Sequence, residues 1–207
     1  METAQLASQH RLEPEDEARG QFYALLARLY GSAPDATLLA ALGGAENRSE
    51  SPDSPLGAAW NTLVAASRAM DPAAAEQEYT DLFVGVGKAE CNLHASHWLR
   101  EAAATRPLVA VRADLAELGL ARQGGTAVYE DHLAALCETM RALIAGVGDR
   151  PPVSVAAQRV FFERHVAPWV FDCCNAICNC SLANYYRRVA EFTSLYMAVE
   201  RDSLAIG

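Results

Sequence analysis

An all-α fold, a single helical bundle of about nine or ten helices, is what this sequence predicts. Three observations predict it. Alanine, leucine, glutamate and arginine, all good helix formers, are abundant. Apolar residues recur at three- and four-residue intervals, the spacing of one helix face. Proline and glycine punctuate the chain between those stretches, and no alternating β-branched segment competes with them.

The elements follow in order. Pro14 with Glu15, Asp16 and Glu17 behind it reads as a helix start, because proline suits the first helical position and acids suit the positive end of the dipole. Phe22, Leu25, Leu26, Leu29 and Tyr30 then form a stripe expected to be buried, and Gly31 and Pro34 end the helix. A short helix is predicted over 35–42. Residues 43–55, rich in Gly, Ser, Pro, Asn and Asp, read as a surface loop. Helices are predicted over 56–70 and, with Asp71 as N-cap, over 72–83. Gly85-Val86-Gly87 is a break.

Further helices are expected over 95–105 and 107–118, with a glycine-containing connector over 119–126. Leu133, Leu136, Met140, Leu143 and Ile144 give an apolar face to a helix over 130–145. Residues 146–152 hold two glycines and two prolines, the place for a hinge; exchange of helices there leaves both a monomer and a domain-swapped dimer open. A helix over 153–166 follows, and Pro168 opens the next. The last helix carries Leu182, Tyr185, Tyr186, Val189, Phe192, Tyr196 and Val199 on one face, a core stripe. One cooperative domain spanning 1–207 is the expected organisation.

Charge narrows the function. The net charge is −9, and no Lys/Arg cluster could neutralise a row of phosphates, which argues against nucleic-acid binding. An acidic surface steers a basic partner instead. Residues 1–12 carry no apolar run resembling a secretory signal, and no stretch approaches the ~20 apolar residues that span a bilayer. A cytoplasmic protein with no stable membrane insertion is expected. Its six cysteines are then thiols or ligands, not structural disulfides.

Three ordered segments carry a resemblance. Glu78-Tyr79-Thr80-Asp81-Leu82-Phe83-Val84-Gly85-Val86-Gly87 is similar to E-Y-x-x-L-F-x-G-P-G, with Val86 in place of proline. Glu130-Asp131-His132-Leu133, followed by Glu138 and Met140, resembles an E-D-H-[IL] helix start. Residues 158–169, from Gln158 through Phe161, Phe162 and His165 to Pro168 and Trp169, resemble Q-x-x-F-F-x-x-H-[LI]-x-P-W. Together with Tyr23-Ala24-Leu25-Leu26 in the first helix, these resemble the TorD/DmsD/NarJ family of redox-enzyme maturation chaperones over nearly the whole chain. One segment departs: where relatives carry P-P-[YW]-[EG]-S, only Ser96 and the later Trp98 fit.

The resemblance implies a chaperone, not an enzyme, that binds the twin-arginine leader or N-terminal tail of the catalytic subunit of a molybdopterin oxidoreductase. It implies assistance to cofactor insertion before export or assembly. No cofactor of its own is expected from the residues, since no motif for the guanine nucleotide or molybdenum cofactor that some relatives bind is recognisable. Such a receptor needs carboxylates for guanidinium forks and an apolar groove for the rest. Glu130, Asp131, His132, Tyr79, Phe83, Ser96 and Trp98 are the candidate partner-binding residues. Four of these also have a structural role open to them: Asp131 can cap its helix, His132 can be a core histidine, and Tyr79 and Phe83 can be packed; His165 likewise reads as structural.

Cys173, Cys174, Cys178 and Cys180 do not belong to the family pattern. Thiolates are soft ligands, so four of them in eight residues raise a cysteine-based metal or iron–sulfur carrier, or a redox sensor, as the alternative. Cys91, His94 and His97 add a second candidate set. On a helix, however, Cys174 and Cys178 share a face that Cys173 and Cys180 do not, and small cysteines commonly fill helix interfaces. No phosphate loop, nucleophile elbow or His-Glu-x-x-His motif supports an enzyme.

Overall fold

The computed structural model describes residues 12–46, 54–85, 88–99, 106–120 and 128–206. Among them are ten α-helices: α1 (Pro14–Gly31), α2 (Ala36–Gly43), α3 (Pro55–Ala69), α4 (Pro72–Tyr79), α5 (Ala95–Trp98), α6 (Pro107–Glu117), α7 (Leu133–Ala145), α8 (Val155–His165), α9 (Ala167–Asn179) and α10 (Tyr185–Ile206). The all-α expectation holds, and no described helix is long and apolar enough to cross a membrane.

Helix starts obey local chemistry. Asp35, Ser54, Asp71 and Ser154 each accept an amide of the following turn. Proline occupies the first turn of α1, α3, α4, α6 and α9. Helix α4 runs on into a π-helical turn, Thr80–Val84, closed where Gly85 N–H donates to Thr80 O at 2.7 Å. Gly85 has φ +64°, and a Cβ there would meet the Lys88 carbonyl at 2.3 Å, so only glycine turns the chain here.

The core is one cluster of buried side chains from all parts of the bundle. Helix α1 lies antiparallel to α7, with Gly31 against Ala134 and Gly20 against Ala145. Helix α10 packs on α3, α8 and α9. Hydroxyls tie it to α1: Tyr30 Oη and Thr193 Oγ1 lie 3.0 Å apart, and Tyr186 donates to Leu29 O at 2.8 Å.

Two carboxylates buried within this core, Glu200 and Glu78, are satisfied by partners on other helices. Arg19 on α1 forks onto Glu200 on α10 (3.0 and 2.7 Å), and also donates to Gln158 on α8 and Asp16. Glu78, at the end of α4, accepts the amides of Asn184, Tyr185 and Tyr186 at 2.8, 3.0 and 2.8 Å, so a carboxylate from one helix caps the start of another.

Several expectations are corrected. In α10, Leu182 precedes the helix and Val199 points outward, both about half exposed, while Glu200 lies inside; a buried guanidinium partner decides this, which periodicity does not register. Phe22 and Leu25 are only partly buried, because α1 faces α7 with Tyr23, Leu26, Leu29 and Tyr30. The helix expected from Glu130 starts at Leu133, since 130–132 are drawn onto the 88–99 segment. Helix α5 ends at Trp98, and 100–105 lie outside the described residues, as do 47–53 of the expected loop, Val86 and Gly87 of the break, 121–126 of the connector and 1–11 of the N-terminus. Over 146–152, Val147 and Arg150 exchange backbone hydrogen bonds at 3.1 and 3.0 Å, and Arg150 reaches Leu118 O.

Two stability predictions follow. Arg19→Met strands the Glu200 carboxylate and is expected to lower unfolding free energy by about 3–5 kcal/mol in urea titration, while adding Glu200→Leu recovers at least about half of that. Glu78→Ala removes the acceptor for three amides and is expected to cost about 2–3 kcal/mol, read as a drop in Tm of about 2–4 °C per kcal/mol.

Candidate functional site

The site begins where the chain leaves the π-helical turn. Cys91 N–H donates to Leu82 O at 2.9 Å, folding 88–99 back on that turn. Asn92 organises it: its side chain accepts His94 N–H and its carbonyl accepts Trp98 Nε1–H, both at 2.9 Å. Leu93 O accepts Leu133 N–H (2.8 Å) and Asp131 O accepts Ala95 N–H (2.9 Å). His94 and His132 thereby pair as a single antiparallel bridge.

Asp131 clamps the two segments. Its carboxylate accepts the Ser96 hydroxyl (2.5 Å) and amide (3.1 Å), and lies 3.2 Å from His94 Nδ1. Burial alone would raise its pKa. Hydrogen bonds from His94, the Ser96 hydroxyl and the Ser96 amide, with the charge of His94, outweigh that and hold it at about 2.

His132, not Asp131, is the N-cap of α7: its Nδ1 accepts Ala134 N–H at 3.1 Å, which places the ring proton on Nε2. Burial first, and then the neighbouring His94, push its pKa down to about 4; Asp131 opposes this. His94 stacks edge-on against it, centroids 4.8 Å apart. Tyr129 stands exposed beside His94, and Glu130 pairs with Arg112 of α6 at 3.0 Å.

Beside the clamp, a cleft of about 220 Å³ is lined by Ala95, Leu99, Pro107, Val111, Arg164 and His165. Asp114 binds two of them, with His165 Nε2 at 2.6 Å and the Arg164 guanidinium at 2.8 Å. Burial lowers the His165 pKa against the pull of Asp114.

Of the sequence-predicted residues, Glu130, Asp131, His132, Ser96 and Trp98 come together. Asp131 and His132 are buried, however, so they shape the segment from beneath. Tyr79 and Phe83 lie apart, in an aromatic cluster with Tyr30 and Tyr186: Phe83 meets Tyr186 at 4.9 Å, and Tyr79 Oη donates to Tyr30 O at 3.1 Å.

A feature outside the sequence expectation is a groove of about 690 Å³ between α1, α2 and α3. Phe22, Leu25, Leu38, Leu42 and Trp60 give it an apolar lining, with Arg28 and Glu46 also on its wall. The signal was present in the first-helix stripe, which is too wide for one buried face: Phe22 and Leu25 serve a second one.

The cysteines do not converge. Cys173 and Cys174 are buried on an unbroken α9, Cys178 and Cys180 are partly exposed, and Cys91 and Cys137 are buried elsewhere. Burial raises the pKa of Cys173, Cys174, Cys137 and Cys178 and pushes Cys91 up to about 12. Among the described residues no three His, Cys, Asp or Glu side chains are grouped to hold a metal ion.

The sequence model of the nitrate reductase delta subunit family matches residues 49–175, more than half the chain and the span containing Glu78, the clamp and His165. The chain belongs to this family. Its members are NarJ/TorD-type chaperones, so the resemblance read from the sequence is borne out. A solved structure described as a redox enzyme maturation protein from Archaeoglobus fulgidus superimposes with a TM-score of 0.54, covering 96% of this chain and 99% of that one. At 15% identity that likeness concerns the fold. No curated protein sequence matches the chain.

The family's E-D-H segment thus supplies a clamp and a cap, and both titrate. His132, held below its ordinary value of 6.5, stabilises the fold fully above that pH and loses its contribution as pH falls towards 4, because the unfolded chain protonates first. His132→Asn keeps a capping acceptor and is expected to flatten the loss of stability between pH 6.5 and 4, measured by urea titration at several pH values.

Proposed function

We propose that this chain is a cytoplasmic, system-specific chaperone. It binds the leader or N-terminal tail of the catalytic subunit of a molybdopterin oxidoreductase and assists cofactor insertion before export or assembly. It acts by binding and not by catalysis.

What supports this, beyond the family, is the open apolar groove on a chain of net charge −9. The lining runs from Ala18 to Arg28 along α1, about 15 Å at 1.5 Å per residue, which suits about ten residues of an apolar helical peptide. Because α1 and α7 are antiparallel, with Gly31 against Ala134, the Arg28 end of the groove and the Asp131 clamp share one end of the bundle. Exposed acidic side chains lie at the start of α1, Glu13, Glu15 and Glu17, and Glu46, which follows α2, lines the groove. An apolar trough with exposed carboxylates near it suits a tail that joins arginines to an apolar stretch.

A fluorescent peptide with two arginines ahead of an apolar stretch tests this by anisotropy. Leu25→Glu, and separately Asp131→Ala with His132→Ala, are each expected to weaken binding at least about tenfold, or 1.4 kcal/mol, with helical circular dichroism retained. Unchanged affinity in folded Leu25→Glu removes the groove from the site, and unchanged affinity in the double variant removes the clamp. Capture of partners from the host by the tagged protein identifies the client; recovery without any molybdenum oxidoreductase subunit overturns the assignment.

A further inference from the structure

The groove between α1, α2 and α3 carries opposite charge towards its two ends. Helices α1 and α3 run parallel to each other, both antiparallel to α10. Phe22 and Trp60 each meet Phe192, at 5.5 and 5.4 Å, whereas further along both helices Leu29 O accepts the Tyr186 hydroxyl (2.8 Å) and Ser67 Oγ lies 3.0 Å from Tyr185 Oη. One end of the groove is therefore the start of α1, and Arg28 and Arg68 belong to the other.

Towards the first end the groove is acidic. Glu17 accepts Gln21 Nε2–H at 3.5 Å, and Gln21 lines the wall. Exposed Glu46 is anchored in the same half: its carbonyl accepts Trp60 Nε1–H at 3.2 Å, and Trp60 meets Phe22 edge-on at 5.5 Å. Arg19, on this stretch of α1, is turned onto Glu200 and Asp16.

Towards the second end it is basic. Arg28 is exposed on the wall, six residues or about 9 Å beyond Phe22. Among the described residues neither a hydrogen bond nor an ion pair engages its guanidinium. Arg68 donates to a carbonyl, Gly43 O, at 3.0 and 2.6 Å, which leaves its charge in place. Asp35, Asp71 and Asp131, at the same end, are engaged: the first two cap α2 and α4, and the third is buried beneath Ser96 and His94.

We propose that the groove selects the direction of its peptide: the client helix lies with its cationic N-terminal end at Glu46 and the start of α1, and its C-terminal end at Arg28. This rests on the groove being the binding site of the tail. A helix carries partial positive charge at its N-terminus and partial negative charge at its C-terminus. With arginines ahead of the apolar stretch, peptide and groove are complementary at both ends in this direction and repel at both ends in the other. The apolar lining serves either direction, so Arg28 and Glu46 are the residues that set it.

Photo-cross-linking on the full chain tests this. Two peptides with two arginines ahead of an apolar stretch carry benzoylphenylalanine at the first or the last position of that stretch, and linked residues are located by mass spectrometry. The first-position probe is expected to link about Phe22 and Trp60 at least about fivefold more than about Arg28, and the last-position probe the reverse. Arg28→Glu with Glu46→Arg alters two exposed side chains and keeps the net charge at −9, so long-range attraction is unchanged. In that variant the preference is expected to fall at least about fivefold. The opposite pattern in the unaltered protein, equal linkage of both probes at both ends, or an unchanged preference in the exchanged variant overturns the direction and leaves the groove as the site. Absence of binding, or linkage only outside α1–α3, removes the groove itself and the direction with it.

Discussion

Helix α10 buries Tyr185, Tyr186, Val189, Phe192, Tyr196 and Met197 in the middle of the bundle, and everything else is arranged around keeping it there. A helix buried along most of its length has two demands. Its apolar sides need partners all round, and its first amides need acceptors that water cannot supply. The aromatic rings of α1, α3 and the π-helical turn meet the first demand: Phe22, Trp60 and Tyr196 near one end, Tyr30, Tyr79 and Phe83 about Tyr186 near the other. Glu78 meets the second. A charge inside the core is acceptable because three amides and the helix dipole take the place of water.

That solution also places the site. Glu78 holds the end of α4 against α10, and the π-helical turn that follows directs the chain into 88–99. Inserting one extra residue per turn there re-aims the exit of the helix, as π-turns do. The segment then meets the start of α7, and Asp131 joins them with hydrogen bonds strong enough to keep a buried carboxylate ionised. Asp131 and His132 are thus the foundation of a surface, while Tyr129, His94 and Ser96 form its outer layer.

The proposed binding of a client tail would draw on this division. The helices α1, α2 and α3 would supply an apolar trough formed before binding, which limits the entropy lost. The polar, clamped segment at the same end of the bundle would supply directionality.

By itself the sequence determined the fold class, nearly all helix locations and the family, because these rest on local signals: 3.6-residue periodicity, prolines in first turns and side-chain caps such as Asp35 and Asp71. It also identified the 130–132 segment as special. Tertiary structure alone decided what those residues do. Asp131 reads as a cap and is instead a cross-segment clamp, since its partners Ser96 and His94 lie far away in the chain. His132 takes over the cap. Val199 reads as part of the buried stripe of α10 and is half exposed, while Glu200 is buried because Arg19 on another helix compensates its charge. Phe22 and Leu25 read as core and line a groove, because which of two apolar faces a helix covers depends on its neighbours and not on its own periodicity.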